Sequence, residues 1–282
     1  MSATVLEGPK VAEALNEQMA AKIAELKEKG VTPCLGILRV GERGDDISYE
    51  KGATKRAEGV GLEVKKILLP EDVTTEELIK TVEDINADDS IHGLLMFRPL
   101  PKHIDEELVC SKIAPEKDID ACTEASLAGV FTGSGIGFAP CTAQACIEIL
   151  DYYGIEVSGK RVVVIGRSLV IGKPVAMMLL AKNGTVTIAH SRTADLPEVA
   201  KEADIIVACV GRAQMVDASY VSEGQTIIDV GINFLDGKLC GDVNFDEVVD
   251  TVAAIPPVPR GVGSVTTSVL CKHVVEAAEA TL

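Results

Sequence analysis

The chain has 282 residues, 47% of them hydrophobic, only 3% aromatic and none Trp, so it can build one large or two medium cores of aliphatic side chains. A formal charge of −16 argues against a nucleic-acid partner, because binding phosphate needs a basic face. No apolar run reaches the roughly 18 residues of a membrane span, and the start lacks a signal peptide's succession of basic, apolar and small residues, so a cytoplasmic protein with no membrane partner is expected.

In chain order, residues 11–28 carry helical apolar spacing through Leu15, Met19, Ile23 and Leu26, closing at Gly30. Residues 34–40 read as a buried strand, 41–46 as a polar loop, 47–59 as a helix, 62–69 as a strand and 74–86 as a helix. A third strand over 92–97 is stopped by Pro99 and Pro101. This alternation makes a first parallel α/β unit running to about residue 138. Residues 142–153 form a linking helix, and a second α/β unit begins at Arg161. Its further strands lie at 204–210 and 226–230 and end in Gly211 and Gly231, where backbone can approach a ligand at the carboxyl edge of a sheet. Residues 253–263 read as a Pro/Gly-rich loop and 266–280 as a closing helix. The fold class is therefore α/β, with two parallel-sheet lobes, a cleft between them as the default place for a substrate, and a Rossmann-like C-terminal lobe.

The second unit opens with the most informative stretch. Residues 162–165 are a continuous β-branched run, as in a strand buried on both faces. Gly166 breaks it, and a helix follows from Gly172 with Pro174 in its first turn. A strand feeding a glycine-flanked turn into a helix N-terminus favours an anion through free amides and the helix dipole. The spacing Gly166-x5-Gly172 is not G-x-G-x-x-G, so an ordinary βα turn is the competing reading. Downstream, a strand over 185–189 ends in His190-Ser191-Arg192-Thr193, where NAD sites usually place an acidic residue for the ribose. Arg192, with Arg167, suits a 2′-phosphate and hence NADP, NAD being the weaker choice; a solvated loop charge is the alternative for Arg192. In so acidic a chain, Arg167, Lys173, Arg192 and the helix dipole must reverse the local field for a polyanionic ligand. The eight Cys include no C-x-x-C pair, so neither a metal nor a redox pair is signalled, and reduced thiols are expected.

Several separated stretches converge on one family. Tyr49, Pro115-Glu-Lys-Asp-Ile-Asp120, Pro140-Cys-Thr142, Val164-Ile-Gly-Arg-Ser168, Asp229-Val-Gly-Ile-Asn233, Gly241-Asp-Val243 and Pro257-Val-Pro-Arg-Gly-Val-Gly263 resemble the methylenetetrahydrofolate dehydrogenase/cyclohydrolase family, in its order and over nearly the whole chain. The resemblance implies a homodimer of one-carbon metabolism. Residues 1–140, with a closing helix over 266–282 packed back on them, would form the folate-binding catalytic domain, and 141–265 the NAD(P)-binding domain. It implies oxidation of 5,10-methylene-tetrahydrofolate with NAD(P), followed in most members by hydrolysis of the methenyl product. Tyr49 and Asp120 would be the catalytic-site residues, Asp120 anchoring the pterin's amino edge and Tyr49 covering a ring, with Phe97, Leu100, Gly263 and Ser264 also at the substrate. Gly166, Arg167, Ser168, Ser191 and Arg192 would meet the phosphates and adenosine ribose, and Gly211 would belong to the same dinucleotide site. Thr142, Gly231, Ile232 and Thr266 would line the nicotinamide end. A helix-capping Asp120, a half-buried core Tyr49 and helix-capping Thr142 and Thr266 are the plainer readings of the same residues.

The chain departs from that family pattern where the chemistry is demanding. Four residues after the motif Tyr the family usually has Lys, and here stands Ala53; the family Gln of the 93–101 segment is Phe97. In bifunctional members that pair acts in the water-dependent step. On a helix, position 53 lies about 40° from Tyr49, whereas Lys51 and Lys55 lie about 160° and 120° from it, so neither replaces the missing amine without a helical irregularity. Ala121, Ala143, Ala145, Arg260 and Ser264 stand for family Gly or Pro residues. Hydride transfer from the methylene carbon is mostly positional catalysis, since the flanking nitrogens stabilise the cation. Hydrolysis needs a titratable or polarising group, so a dehydrogenase with weak or absent cyclohydrolase activity is expected. The alternatives are a bifunctional enzyme in which Lys55 or water stands in, an NADP dehydrogenase of another small substrate, and a non-catalytic nucleotide-binding protein.

Overall fold

The computed structural model describes residues 3–282 and divides into two compact units. The N-terminal half carries β1 (Thr4–Val5), α1 (Gly8–Glu28), β2 (Cys34–Val40), α2 (Gly44–Val60), β3 (Glu63–Leu69), α3 (Thr75–Ala87), β4 (Gly93–Met96), α4 (Glu106–Cys110), α5 (Glu124–Thr132) and α6 (Cys141–Tyr152). The C-terminal half carries β5 (Arg161–Ile165), α7 (Gly172–Ala181), β6 (Thr185–Ala189), α8 (Leu196–Lys201), β7 (Ile205–Ala208), β8 (Thr226–Asp229), β9 (Asn233–Leu235), β10 (Lys238–Cys240), α9 (Phe245–Val248), β11 (Ala254–Ile255) and α10 (Thr266–Glu279).

The first unit comprises Ala14–Cys141 and Thr267–Leu282. Its sheet is parallel, in the order β3-β2-β4. The middle strand β2 is buried along its whole length, as its apolar run over 34–38 favours, and the one charge in it, Arg39, is paired with Glu50. Helix α3 opens with a capping box between Thr74 and Glu77, which satisfies two orphan donors reciprocally. Its other end is closed by a side chain from far along the sequence: Lys117 Nζ donates to the carbonyls of Ile85, Asn86 and Asp88 at 2.9, 2.9 and 2.8 Å. An ammonium there also opposes the negative pole of the helix. The closing helix α10 packs on β4, where a Cβ at Gly93 would stand 2.5 Å from Ile119 and 3.1 Å from Val274. Only glycine lets strand and helix approach so closely.

The second unit comprises the residues up to Glu13 and Thr142–Thr266. Its parallel sheet runs β1-β11-β8-β7-β5-β6, with β9 and β10 as a separate antiparallel hairpin. The core on one side is aliphatic, through Val163, Ile165, Ile206, Ile227 and Ile255.

Two expectations are corrected here. Residues 253–263 are not loop throughout, because Ala254–Ile255 pairs with Thr4–Val5 and with Thr226 of β8. Two-residue strands are too short to display a period, so the pattern could not announce them. The opening residues also cluster with the second unit rather than with the residues after Ala14. The Gly8 N–H donates to the Arg260 carbonyl at 2.9 Å, and the Tyr153 hydroxyl donates to the Glu7 carbonyl at 3.2 Å.

Candidate active site

In the first unit the site is built on α2, the end of β4 and the 117–120 turn. Helix α2 is unbroken, so Tyr49, Ala53 and Ala57 recur at four-residue spacing on one face. Ala53 and Ala57 are fully buried, while Lys51 and Lys55 are exposed. Phe97 follows β4, with its N–H donated to the Leu38 carbonyl. Its ring meets Tyr49 edge-to-face, at 5.6 Å between centroids and 84° between planes. Tyr49 is 46% exposed, yet the surrounding protein, and secondly the Asp120 carboxylate, push its phenol above the ordinary range. The neighbouring Glu50 is buried and spent on the fold, held by Arg39 Nε at 2.7 Å and Lys66 Nζ at 3.0 Å.

The turn separates its two aspartates sharply. Asp118 is fully buried and accepts from Cys122 N at 2.7 Å, Thr123 N at 2.9 Å, Thr123 Oγ1 at 2.7 Å and Ser126 Oγ at 2.6 Å. Asp120 is only partly buried and accepts from the Cys141 N–H, at 2.9 Å, where α6 begins. The capping reading of Asp120 thus holds for one oxygen. Burial pushes its carboxyl above the usual range, against the opposing pull of the Cys141 N–H and of Arg98. Leu100 lies in the aliphatic core, 8% exposed, with its N–H donated to Glu106 Oε2 at 2.8 Å.

In the second unit the glycine spacing has a packing reason. Gly166 has φ of +136°, and a Cβ there would stand 2.4 Å from the Cys209 carbonyl oxygen. A Cβ on Gly172 would stand 2.4 Å from the Gly166 carbonyl oxygen, so the two glycines let the turn fold onto itself. The Ser168 hydroxyl accepts from Ile171 N at 3.1 Å and Gly172 N at 3.4 Å, closing the turn just before α7. At the end of β6, His190 N donates to Thr193 Oγ1 and Arg192 N donates to His190 Nδ1, leaving Ser191 and Arg192 exposed. Arg167, Lys173 and Arg192 form no ion pair among the described residues, and all three stand at the carboxyl ends of the adjacent strands β5 and β6. In a strongly acidic chain, three unpaired cations at one sheet edge fit a polyphosphate.

Gly231, Ile232, Gly263 and Ser264 line one cavity of about 230 Å³. Ile232 is 62% exposed, Gly211 is exposed at φ of +65°, and the Thr266 hydroxyl donates to the Gly263 carbonyl at 3.2 Å. Thr142 is half-buried in the first turn of α6. Among the described residues no group of three or more His, Cys, Asp or Glu side chains is placed to hold a metal ion, and no helix is long and apolar enough to cross a membrane. Asp229 and Asp242, which lie in the 229–233 and 241–243 motifs, are both buried.

The tetrahydrofolate dehydrogenase/cyclohydrolase catalytic-domain model matches residues 6–120, and the NAD(P)-binding-domain model of the same family matches residues 140–282. The chain belongs to this family. It is 53% identical over 277 residues to the bifunctional protein FolD of Carboxydothermus hydrogenoformans, covering 97% of this chain and 96% of that one. Among solved structures it is similar to the bifunctional FolD of Campylobacter jejuni, with a TM-score of 0.96 and 35% identity over the full length of both chains. It is also similar to the Trypanosoma brucei FolD complexed with NADP and an inhibitor, with a TM-score of 0.90 and 34% identity over 100% of this chain and 99% of that one. As a member of the family, the chain is an enzyme with a catalytic and an NAD(P)-binding domain. The pairing of an exposed Tyr49 with an under-satisfied Asp120 in one, and of glycine turn with free cations in the other, corresponds to that division.

Proposed function

We propose that this enzyme is a 5,10-methylene-tetrahydrofolate dehydrogenase using NADP, in which the hydrolysis of the methenyl product is weak or absent. The carrying observation is the face of α2 beneath Tyr49: Ala53 is buried without a functional group, and Phe97, packed on Tyr49, has no hydrogen-bonding atom in its side chain. Asp120, with an oxygen to spare and its carboxyl crowded by protein, receives the amino edge of the pterin, while Tyr49 and Phe97 offer ring faces to the folate. NADP, when bound, accepts the hydride. Arg167 and Arg192 hold its phosphates, Arg192 the 2′-phosphate, and Ser191 hydrogen-bonds beside it. Gly231, Ile232 and Thr266 shape the nicotinamide end. The transfer itself asks for position rather than proton traffic, which these residues supply.

Hydrolysis asks for more. Water must lose a proton as it attacks the methenyl carbon, and the adduct must gain one at nitrogen. Lys51 and Lys55 are exposed on an unbroken helix, turned from the buried face that holds Ala53. A second protein, a hydrolase of cyclic amidinium-like cations, would then consume the product. The bifunctional reading rests on the 53% identity to a bifunctional FolD. A two-lobed dehydrogenase of another small substrate, or a non-catalytic nucleotide binder, would leave the catalytic-domain match over 6–120 without a reason.

Two assays on one preparation decide the matter. Folate-dependent NADP reduction is expected at ordinary rates, with NAD a poorer acceptor, and added methenyl-tetrahydrofolate is expected to disappear no faster than in buffer. Brisk hydrolysis would return the enzyme to the bifunctional class. The double substitution Ala53→Lys with Phe97→Gln is expected to raise hydrolysis by about two to four orders of magnitude, the usual contribution of a positioned acid–base group.

A further inference from the structure

Three consecutive backbone amides, those of Val210, Gly211 and Arg212, converge on one carboxylate. Asp242 Oδ2 accepts from Val210 at 2.6 Å and Gly211 at 3.0 Å, and Oδ1 accepts from Arg212 at 2.8 Å and from Asn233 Nδ2 at 2.9 Å. Successive N–H groups so arranged form an anion nest, and here the chain fills it with its own fully buried side chain. The loop after β7 and the start of the hairpin strand β9 are thereby tied to a single group.

That group is itself held. Asp229, at the end of β8 and 3% exposed, accepts from Gly231 N and Asp242 N at 3.0 Å each and from Val243 N at 3.1 Å. The glycines make this stacking possible: a Cβ on Gly231 would stand 2.4 Å from the Asp242 carboxyl carbon, and one on Gly241 would stand 1.8 Å from Asp229 Oδ2. Both loops so fixed lie at the carboxyl ends of adjacent parallel strands, β7 and β8, the edge where open α/β sheets receive ligands.

We propose that Asp242 is a positioning residue for the dinucleotide, fixing residues 210–212 and 231–233 in the one arrangement that receives its nicotinamide end while making no contact with it. This rests on the NADP reading above. Among the described residues the three loop amides donate only to Asp242, while the next tie of this loop is Gln214 N–H to the Gly241 carbonyl at 3.0 Å, so residues 210–212 depend chiefly on that carboxylate. Asp242→Asn preserves size and one acceptor but turns an amide donor toward N–H groups that need an acceptor.

Full-length wild-type, Asp242→Asn and Asn233→Leu enzymes are titrated calorimetrically with NADP and assayed for both KM values and kcat. For Asp242→Asn the NADP Kd is expected to rise about tenfold, equivalent to about 1.4 kcal/mol, with the KM for methylene-tetrahydrofolate within about twofold of wild type. Asn233→Leu, which removes a single donor from the same carboxylate, is expected to weaken NADP about threefold. A folded Asp242→Asn enzyme with unchanged NADP affinity overturns the proposal, as does an equal rise in both KM values, which marks a general loosening. If Asp242→Asn does not fold, an unchanged Kd in Asn233→Leu overturns it. A wild-type enzyme that takes up no dinucleotide removes the functional reading first and this inference with it.

Discussion

The turn at Asp118 and Asp120 and the pair Asp229 and Asp242 use the same material to different ends. Asp118, Asp229 and Asp242 are almost wholly buried, and each accepts three or more hydrogen bonds from nearby loops. Asp120, two residues from Asp118, accepts from a single backbone N–H, with the thiol of the same Cys141 beside it, and keeps part of its surface open. A carboxylate whose acceptor sites are filled by its own chain fixes backbone; one left short of donors is available to a ligand. In the second unit Asp229 and Asp242 are both spent on shape, and the unpaired charges at that sheet edge are the cations Arg167, Lys173 and Arg192. The first unit has kept one acid back.

The largest effect on stability is expected at the saturated end of this contrast. Asp118→Ala strands two backbone N–H groups and two hydroxyls in the interior and should cost about 3–5 kcal/mol, read from urea unfolding. Asp229 provides a titration. Burial, helped by Asp242, raises its carboxyl to about 7, against the pull of three backbone N–H groups. The folded chain therefore keeps that proton between about pH 4 and 7 while the unfolded chain releases it, so this group's contribution to stability falls as pH rises, by at most about 1.4 kcal/mol per pH unit, and is flat above and below. Unfolding free energies across that window should lose this slope in Asp229→Asn.

Smaller effects sharpen the comparison. Arg260 holds φ of +77° where the family has glycine or proline, a left-handed conformation that costs a side-chain-bearing residue about 1–2 kcal/mol. Arg260→Gly should relieve it but loosen the unfolded chain, for a net gain of about 0.5 kcal/mol, measurable as a raised Tm. A similarly small change in stability is expected for Asp120→Asn, below about 1 kcal/mol, because the amide oxygen can keep the Cys141 N–H bond. Its kcat/KM for methylene-tetrahydrofolate should nonetheless fall about a hundredfold, since the pterin's amino edge loses its charged acceptor. Equal losses of stability at Asp118 and Asp120 would erase the distinction between them.

Much of this site was legible in one dimension. The strands over Arg161–Ile165 and Thr185–Ala189 and the helix from Gly172 follow directly from β-branched runs and glycine breaks. The position of Ala53 relative to Tyr49 follows from helical geometry, and α2 is regular enough to keep it. Other features had no such signal. Thr4–Val5 and Ala254–Ile255 are too short for any pattern, and it takes their pairing, with the bonds from Gly8 and Tyr153, to show that the residues up to Glu13 cluster with the second unit. Lys117, a motif residue, closes α3 through carbonyls about thirty positions away.

By itself, then, the sequence determined the alternation of strands and helices, the turn between Gly166 and Gly172 and the missing amine at position 53, because each depends on residues within a few positions of one another. Tertiary structure alone decided which aspartates are saturated and which is open. Hydrogen-bond donors reach Asp118 from the next eight residues, but the backbone donors of Asp242 come from about thirty residues upstream, and no local spacing records where a folded chain brings its amides.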